Sequence, residues 1–129
     1  MNNLRWIYPV LLVLFALVLG LAPALQAAPG DRFAAVAYSA STNRYGYGAN
    51  YPTKGEALAR ARRECGGRAT FTNWCKNSWI ALAVSDRSPG GCGSGWGTTP
   101  EAARQSARRQ CLARNPDARV VVCVSASEG

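Results

Sequence analysis

Cysteines, arginines and aromatic residues are the side chains of this 129-residue chain that could do chemistry. Histidine is absent, which excludes Ser-His-Asp and Cys-His catalysis and most zinc sites, because each of these needs an imidazole. The seven acidic residues include no evident pair that would face one cleft, as a glycosidase requires. We therefore predict no catalytic residues, no metal, no cofactor and no enzymatic activity.

A glycine-rich segment, Gly93-Ser94-Gly95-Trp96-Gly97, precedes a predicted helix and superficially looks like a phosphate-binding loop. It lacks both the Gly-Lys-Ser/Thr ending and the Gly-x-Gly-x-x-Gly spacing of such loops. We interpret it instead as a flexible hairpin strand that lets Trp96 pack in the core.

The N-terminal segment predicts export. Arg5 is followed by an apolar run from Trp6 to Leu19 and then by small residues, which is the pattern of a secretory signal peptide. We assign residues 1–27 to the signal peptide, with cleavage after Ala27, although Ala22-Pro23-Ala24 also fits the pattern. An uncleaved membrane anchor is the rival interpretation, weakened by internal proline and glycine.

The predicted mature chain, residues 28–129, is periplasmic or extracellular and long enough for one domain with a modest core. Without Arg5 the net charge falls from +8 to +7, which favours anionic partners. Apart from Lys54 and Lys76, its basic residues are arginines, which form bidentate pairs with carboxylate and phosphate. We do not expect a nucleic-acid partner, because export separates the protein from most nucleic acid.

One pattern occurs twice at a fixed offset. Phe33–Ser39 corresponds to Trp79–Ser85, and the segment from Thr53 to Cys65 corresponds to that from Thr99 to Cys111. A fixed period indicates a repeated supersecondary unit. We predict two repeats within the single domain, at about 33–77 and 79–124.

Each repeat predicts a β-β-α-β unit. The apolar runs are buried strands, and a turn-rich segment links each to a glycine-rich second strand. Thr53 and Thr99 are the predicted helix N-caps, and third strands follow at about 70–74 and 119–124. Together the two units predict an α+β fold with one mostly antiparallel sheet of about six strands and both helices on one face.

The cysteines predict disulfides, because export favours them. Cys65 and Cys111 hold the same repeat position, and each is followed by another cysteine, Cys75 or Cys123. We predict the bridges Cys65–Cys75 and Cys111–Cys123, stapling each helix to the next strand. This pairing leaves Cys92 without a partner in the monomer. Cys92 could be a reactive thiol, a cysteine that links two copies of the chain, or a partner in a different disulfide pattern. Nothing beside it would activate it as a nucleophile.

Arginines and aromatic residues are the candidate binding groups. Arg62, Arg63, Arg108 and Arg109 form either a duplicated basic surface for phosphate or carboxylate or, as we favour, solvated helix ends. Tyr45, Tyr47, Tyr51 and Trp96 could stack on sugars or bases, but such residues more often fill a thin core. Among these aromatic residues, Tyr47 and Tyr51 are the ones we most expect to be exposed.

Several motifs together resemble a family of small exported bacterial proteins, the domain of unknown function 4189. They are Ala-Val-Ala-Tyr-Ser at 35–39 with Arg44-Tyr45-Gly46-Tyr47, Gly-x-Gly-Trp-Gly at 93–97, and the alanine-rich helices ending in Cys65 and Cys111. The resemblance covers nearly all of the mature chain. It implies an exported α+β protein held by disulfides, and it supplies neither an activity nor catalytic residues.

Two functions fit these observations. The first is an exported, non-enzymatic module that binds a protein, as an inhibitor or immunity protein does. The second is a basic, aromatic module that binds an anionic envelope polymer such as lipopolysaccharide or peptidoglycan. A dimer through Cys92 is compatible with either.

Overall fold

The computed structural model describes residues 30–127, so the predicted signal peptide lies outside the described residues. Six strands and two helices follow one another in the order β-β-α-β, β-β-α-β. They are β1 (Phe33–Ser39), β2 (Arg44–Tyr51), α1 (Lys54–Glu64), β3 (Phe71–Lys76), β4 (Trp79–Val84), β5 (Cys92–Gly97), α2 (Pro100–Leu112) and β6 (Arg119–Ser125). The predicted α+β class and element order are confirmed.

The six strands form two separate antiparallel sheets, so the prediction of one six-stranded sheet is wrong. β1 is the centre of the first sheet, in the order β2-β1-β3, and β4 is the centre of the second, in the order β5-β4-β6. The sheets pack face to face, with β1 against β4, β2 against β6 and β3 against β5. The edge strands β2 and β6 therefore lie together at one lateral end of the sandwich, and β3 and β5 lie together at the other. Each such end presents two free strand edges, one from each sheet.

The central strands are buried on both faces, which explains the layered arrangement. In β1, Val36 and Tyr38 face the second sheet, whereas Ala35 and Ala37 face α1. In β4, Leu82 faces the first sheet and Ala81 and Ala83 face α2. The helices thus cover the two outer faces of the sandwich, and the prediction that both lie on one face is wrong.

The helices begin at the predicted caps. The Thr53 hydroxyl accepts a hydrogen bond from the backbone N–H of Glu56 (3.2 Å), and it donates to the Glu56 carboxylate (2.9 Å). Thr99 accepts from Ala102 in the same way (3.1 Å), with Pro100 at the first helical position. These bonds satisfy backbone donors that have no partner inside the helix.

Glycines allow the helices to approach the second strands closely. In β5, a Cβ atom at Gly93 or Gly95 would overlap α2, and in β2 a Cβ atom at Gly46 or Gly48 would overlap α1. The glycine at every second position of Gly93–Gly97 therefore serves helix packing. This finding agrees with the interpretation of Gly93–Gly97 as a hairpin strand rather than a phosphate-binding loop, because α2 covers the face on which its glycines lie.

The cysteine positions do not support the predicted disulfides, and no sulfur–sulfur bond links cysteines within residues 30–127. Cys65 lies between β1 and α1, whereas Cys75 lies between the two sheets, so the first sheet separates them. The Cys123 thiol contacts the carbonyl of Pro100, at the start of α2, and Cys111 lies near its end. That separation is roughly 16 Å along the helix, whereas a bridge needs Cα atoms within about 7 Å.

Asp117 fixes the connection between β4 and β5. Its carboxylate accepts hydrogen bonds from the hydroxyl of Ser85 (2.5 Å) and from the backbone N–H groups of Asp86 (3.0 Å) and Arg87 (3.3 Å). The hydrogen bond from Ser85, followed by those from the two amides, lowers the pKa of Asp117 below its usual value. The ionised carboxylate therefore stabilises the turn that leads into β5.

Replacing Asp117 with asparagine is expected to lower the stability at neutral pH. Because the pKa of Asp117 is lowered by folding, its stabilisation is complete above the unfolded pKa of about 4 and is lost as the pH falls through the lower folded value. Urea unfolding of the wild type and Asp117→Asn at pH 7 and pH 3 should show a gap that shrinks in acid. A gap that is equal at both values would contradict this role.

Candidate functional site

Two tryptophans are exposed at the end of the sandwich where β3 lies against β5. Trp74 on β3 is 40% exposed and Trp96 on β5 is 60% exposed. The prediction that Trp96 packs in the core is wrong. Its neighbours Gly95 and Gly97 face α2, so the Trp96 side chain points the other way, and β5 is an edge strand of its sheet among residues 30–127.

Trp74 is held in place by two neighbours. Its ring centroid lies 6.1 Å from that of Phe33, with the rings tilted at 46°. The ammonium group of Lys54, at the first turn of α1, lies 4.7 Å from the centre of the Trp74 ring, which is a cation–π contact. The indole is therefore positioned before any partner arrives.

Asn73 connects the edges of the two sheets beside Trp74. The Asn77 N–H donates to the Arg32 carbonyl (2.9 Å), so Asn77 and Arg32 form a hydrogen-bonded pair. Trp74 lies three pairs further along the ladder, in a non-hydrogen-bonded pair with Ala35, so its backbone N–H and C=O point away from β1. The side-chain oxygen Oδ1 of Asn73 accepts a hydrogen bond from the backbone N–H of Trp74 (2.9 Å). The side-chain nitrogen Nδ2 of Asn73 donates a hydrogen bond to the hydroxyl of Ser94 (2.6 Å). One side chain thus caps the free edge of β3 and links it to β5.

The two tryptophans line a cleft of about 420 Å³, which we call the tryptophan cleft. Its lining consists of Asn73, Trp74, Cys75, Lys76, Ser78 and Trp96. The described lining contains one cation, Lys76, and no carboxylate, although the Lys76 ammonium lies 3.9 Å from the Asp31 carboxylate outside it. The volume is within the range of ligand sites, and the Asn73 amide and Ser78 hydroxyl are already hydrogen-bonded. The cleft is therefore suited to an apolar group.

A second hollow, of about 250 Å³, lies at the other end of the sandwich, where β2 is the edge strand. Tyr47 is 49% exposed, as predicted, whereas Tyr51 is half-buried, so its predicted exposure is not confirmed. Both line the hollow together with Arg60 and Glu64. Arg60 and Glu64 form an ion pair with a nitrogen–oxygen distance of 2.6 Å. This ion pair uses the charges that a ligand would otherwise contact.

Cys92 lies in a third hollow, of about 270 Å³, near Tyr38, Arg114 and Asn115. Burial, and to a smaller extent the nearby Cys111 thiol, raises the pKa of Cys92 to about 11. A reactive cysteine needs a lowered pKa, because the thiolate is the nucleophile. The environment of Cys92 therefore disfavours the reactive-thiol interpretation.

The four predicted arginines do not form one patch. Arg62 and Arg63 are exposed near the end of α1, and Arg108 and Arg109 are exposed near the end of α2. These helices cover opposite outer faces of the sandwich. The arrangement agrees with solvated helix ends, where cations favour the helix dipole.

The sequence-based candidates omitted Lys54, which lies beside the cleft, and four of the lining residues: Asn73, Trp74, Lys76 and Ser78. Trp74 was placed at the end of a predicted strand without a role, because its exposure depends on which strands form the sheet edges. No sequence signal places Asn73 beside Ser94, since the two belong to different sheets. Of the aromatic candidates, the structure brings only Trp96 to the cleft; Tyr47 and Tyr51 line the second hollow.

Residues 30–127 contain no cluster of three or more histidine, cysteine, aspartate or glutamate side chains that could hold a metal ion. Neither of the helices within the same range is long and apolar enough to cross a membrane.

Comparison with known proteins gives one match. The model of a family described as a domain of unknown function, DUF4189, matches residues 33–125. No curated protein and no solved structure matches the chain significantly. The match covers every strand and helix of the fold but brings no assigned activity to the tryptophan cleft.

Proposed function

The chain belongs to the DUF4189 family, and from that premise we propose that it is an exported interaction module that binds another protein through the tryptophan cleft. The observation that carries this proposal is the pair of exposed indoles, Trp74 and Trp96, on one apolar cleft. Exposed tryptophans are costly to leave in water, and they are the residues most enriched among those that dominate the binding energy of protein interfaces.

The rigidity of the cleft supports binding over mere surface exposure. Trp74 is fixed by Phe33 and Lys54, and the floor is tied by the hydrogen bonds of Asn73. A preformed site loses less conformational entropy when a partner binds. The proposed role is binding without catalysis, so reproducible turnover of a cell-wall substrate by the purified protein would contradict it.

Removing the indoles is expected to abolish partner binding. The immobilised protein should retain a saturable partner from envelope extracts, and Trp74→Ala/Trp96→Ala should lower the affinity for that partner at least about 30-fold, because two central interface tryptophans are removed. Tyr47→Ala is the matched control, since it removes an equally exposed aromatic ring at the opposite end of the sandwich. Thermal unfolding of each variant verifies that the fold is intact.

Two outcomes of this experiment would count against the proposal. One is equal retention of the partner by the double variant and the wild type. The other is failure to recover any saturable partner from extracts of the native host.

Binding to an anionic envelope polymer, lipopolysaccharide or peptidoglycan, is the alternative proposal. The net charge of +7 without Arg5 and the tyrosines of the second hollow, Tyr47 and Tyr51, favour it. Polymer binding driven by charge should weaken steeply as salt is added, and it should respond to Tyr47→Ala rather than to Trp74→Ala/Trp96→Ala. The same two variants therefore separate the two functions.

A further inference from the structure

The surroundings of the tryptophan cleft identify the chemistry of its partner. Lys54, on α1, lies over the ring of Trp74. Lys76 follows Trp74 by two positions on β3, so the side chains of Lys76 and Trp74 project from the same face of that strand. The two ammonium groups therefore flank one indole. The Lys76 side chain is 53% exposed and its ammonium is only loosely paired with the Asp31 carboxylate (3.9 Å), so a carboxylate-bearing partner would meet cations there and an apolar surface between them.

Strand addition to β3 does not fit the edge geometry. The outward-pointing N–H of Trp74 is already bonded to the side chain of Asn73 (2.9 Å), which occupies the position that the carbonyl of an incoming strand would use. Filling this position is one way in which proteins protect the edge of a sheet. Beside Trp74, recognition is therefore expected to come from side chains of the partner rather than from its backbone.

A second copy of this chain does not fit either. It would bring its own Lys54 and Lys76 to the two lysines of the first copy, in a protein whose net charge is +7 without Arg5. Like charges brought together at an interface lower the affinity. Charge complementarity thus favours a different protein with acidic residues at the contact.

We propose that the tryptophan cleft binds a short acidic segment of a partner protein, whose aromatic or large aliphatic side chain packs in the cleft against Trp74 and Trp96 while its flanking carboxylates contact Lys54 and Lys76. This proposal rests on the proposed protein-binding function and specifies its partner. The apolar cleft supplies the anchor contact, and the two lysines select for negative charge beside it.

Selection from a displayed library of random 12-residue peptides tests the proposal. Peptides are retained if they bind the wild-type protein and not Trp96→Ala. The expected peptides carry one aromatic or large aliphatic residue flanked by aspartate or glutamate. Synthetic versions with N-methylated backbone amides around the anchor should bind within about twofold of the unmodified peptides, because the edge of β3 takes no part.

Charge variants provide the second arm, with the same selected peptides as probes. Lys54→Glu and Lys76→Glu should each lower the affinity about tenfold at low salt, and the loss should shrink in high salt. Arg62→Glu and Arg109→Glu, which change the net charge equally on the outer helices, are the matched controls and should change it less than twofold.

The outcomes separate this inference from the function on which it rests. Selected peptides that depend on Trp96 but are neutral or basic would overturn the acidic partner and leave the cleft as a binding site. A loss of affinity on N-methylation would overturn recognition by side chains alone. If no peptide depends on Trp96, both the inference and the proposed use of the cleft fail.

Discussion

Replacing Gly93 with alanine is expected to destabilise the protein by about 3 kcal/mol, at the upper end of the usual cost of overpacking. The new methyl group would overlap the backbone of α2 at Gln110 and Cys111. Backbone cannot rotate out of the way as a flexible side chain can, so α2 would have to move away from β5. That movement would also loosen the contacts of Ala103 and Ala107 with β4.

Two other glycines provide controls for Gly93→Ala. At Gly97, on the same strand, the nearest atom to an added Cβ is the Ala102 methyl group at 2.8 Å, so Gly97→Ala should cost less than Gly93→Ala. At Gly55, in the first turn of α1, nothing lies within 4 Å of an added Cβ. Gly55→Ala should raise the stability by up to about 1 kcal/mol through helix propensity. Urea unfolding of the three variants would contradict the close packing of α2 if Gly93→Ala proved the mildest.

Local features of the sequence predicted the elements of the fold well. Thr53 and Thr99 start the helices because their caps depend only on residues within one turn. β1 spans Phe33–Ser39 as predicted, because seven apolar or small residues in a row indicate a buried strand. Such features are encoded in short segments, so they can be recognised without knowing the rest of the molecule.

The arrangement of two sheets between two helices could also have been predicted, from the side chains of the central strands. All seven residues of β1 are buried, which is incompatible with a sheet that is covered on one face only. The alternation of size indicates what covers each face: Ala35 and Ala37 leave room for a helix, whereas Val36 and Tyr38 fill the wider space between two sheets. The predicted single sheet did not use this alternation.

The candidate site was less predictable than the fold, because it depends on contacts between the repeats. Trp96 was recognised as a candidate, but its exposure follows from β5 being an edge strand. Trp74 and Asn73 become notable only once β3 lies against β5. The predicted Cys65–Cys75 disulfide is unsupported for a related reason. The Cys75 side chain lies on the face of the first sheet that packs against the second sheet, whereas Cys65 lies on the face covered by α1. Pairing the cysteines in sequence order ignores the alternation of side chains along a strand.

Replacing Leu82 with alanine is expected to destabilise the protein by about 3 kcal/mol, within the range for a fully buried leucine. Leu82 has no exposed surface, and it lies in the cluster between the two sheets with Val36, Tyr38 and Val122. Truncation removes apolar contacts and leaves a cavity, because strands held on both sides cannot collapse into the space. Leu112→Ala is the matched control: Leu112 is 51% exposed near the end of α2, so the same change should cost less than about 0.5 kcal/mol.

The comparison of Leu82 with Leu112 tests the sandwich itself. In a single sheet with both helices on one face, the face of β4 that carries Leu82 would be open to water, because Ala81 and Ala83 on the other face contact α2. Leu82→Ala would then cost no more than Leu112→Ala. In the sandwich, the two free energies of unfolding should differ by roughly 2 kcal/mol or more, which chemical denaturation under reducing conditions resolves readily.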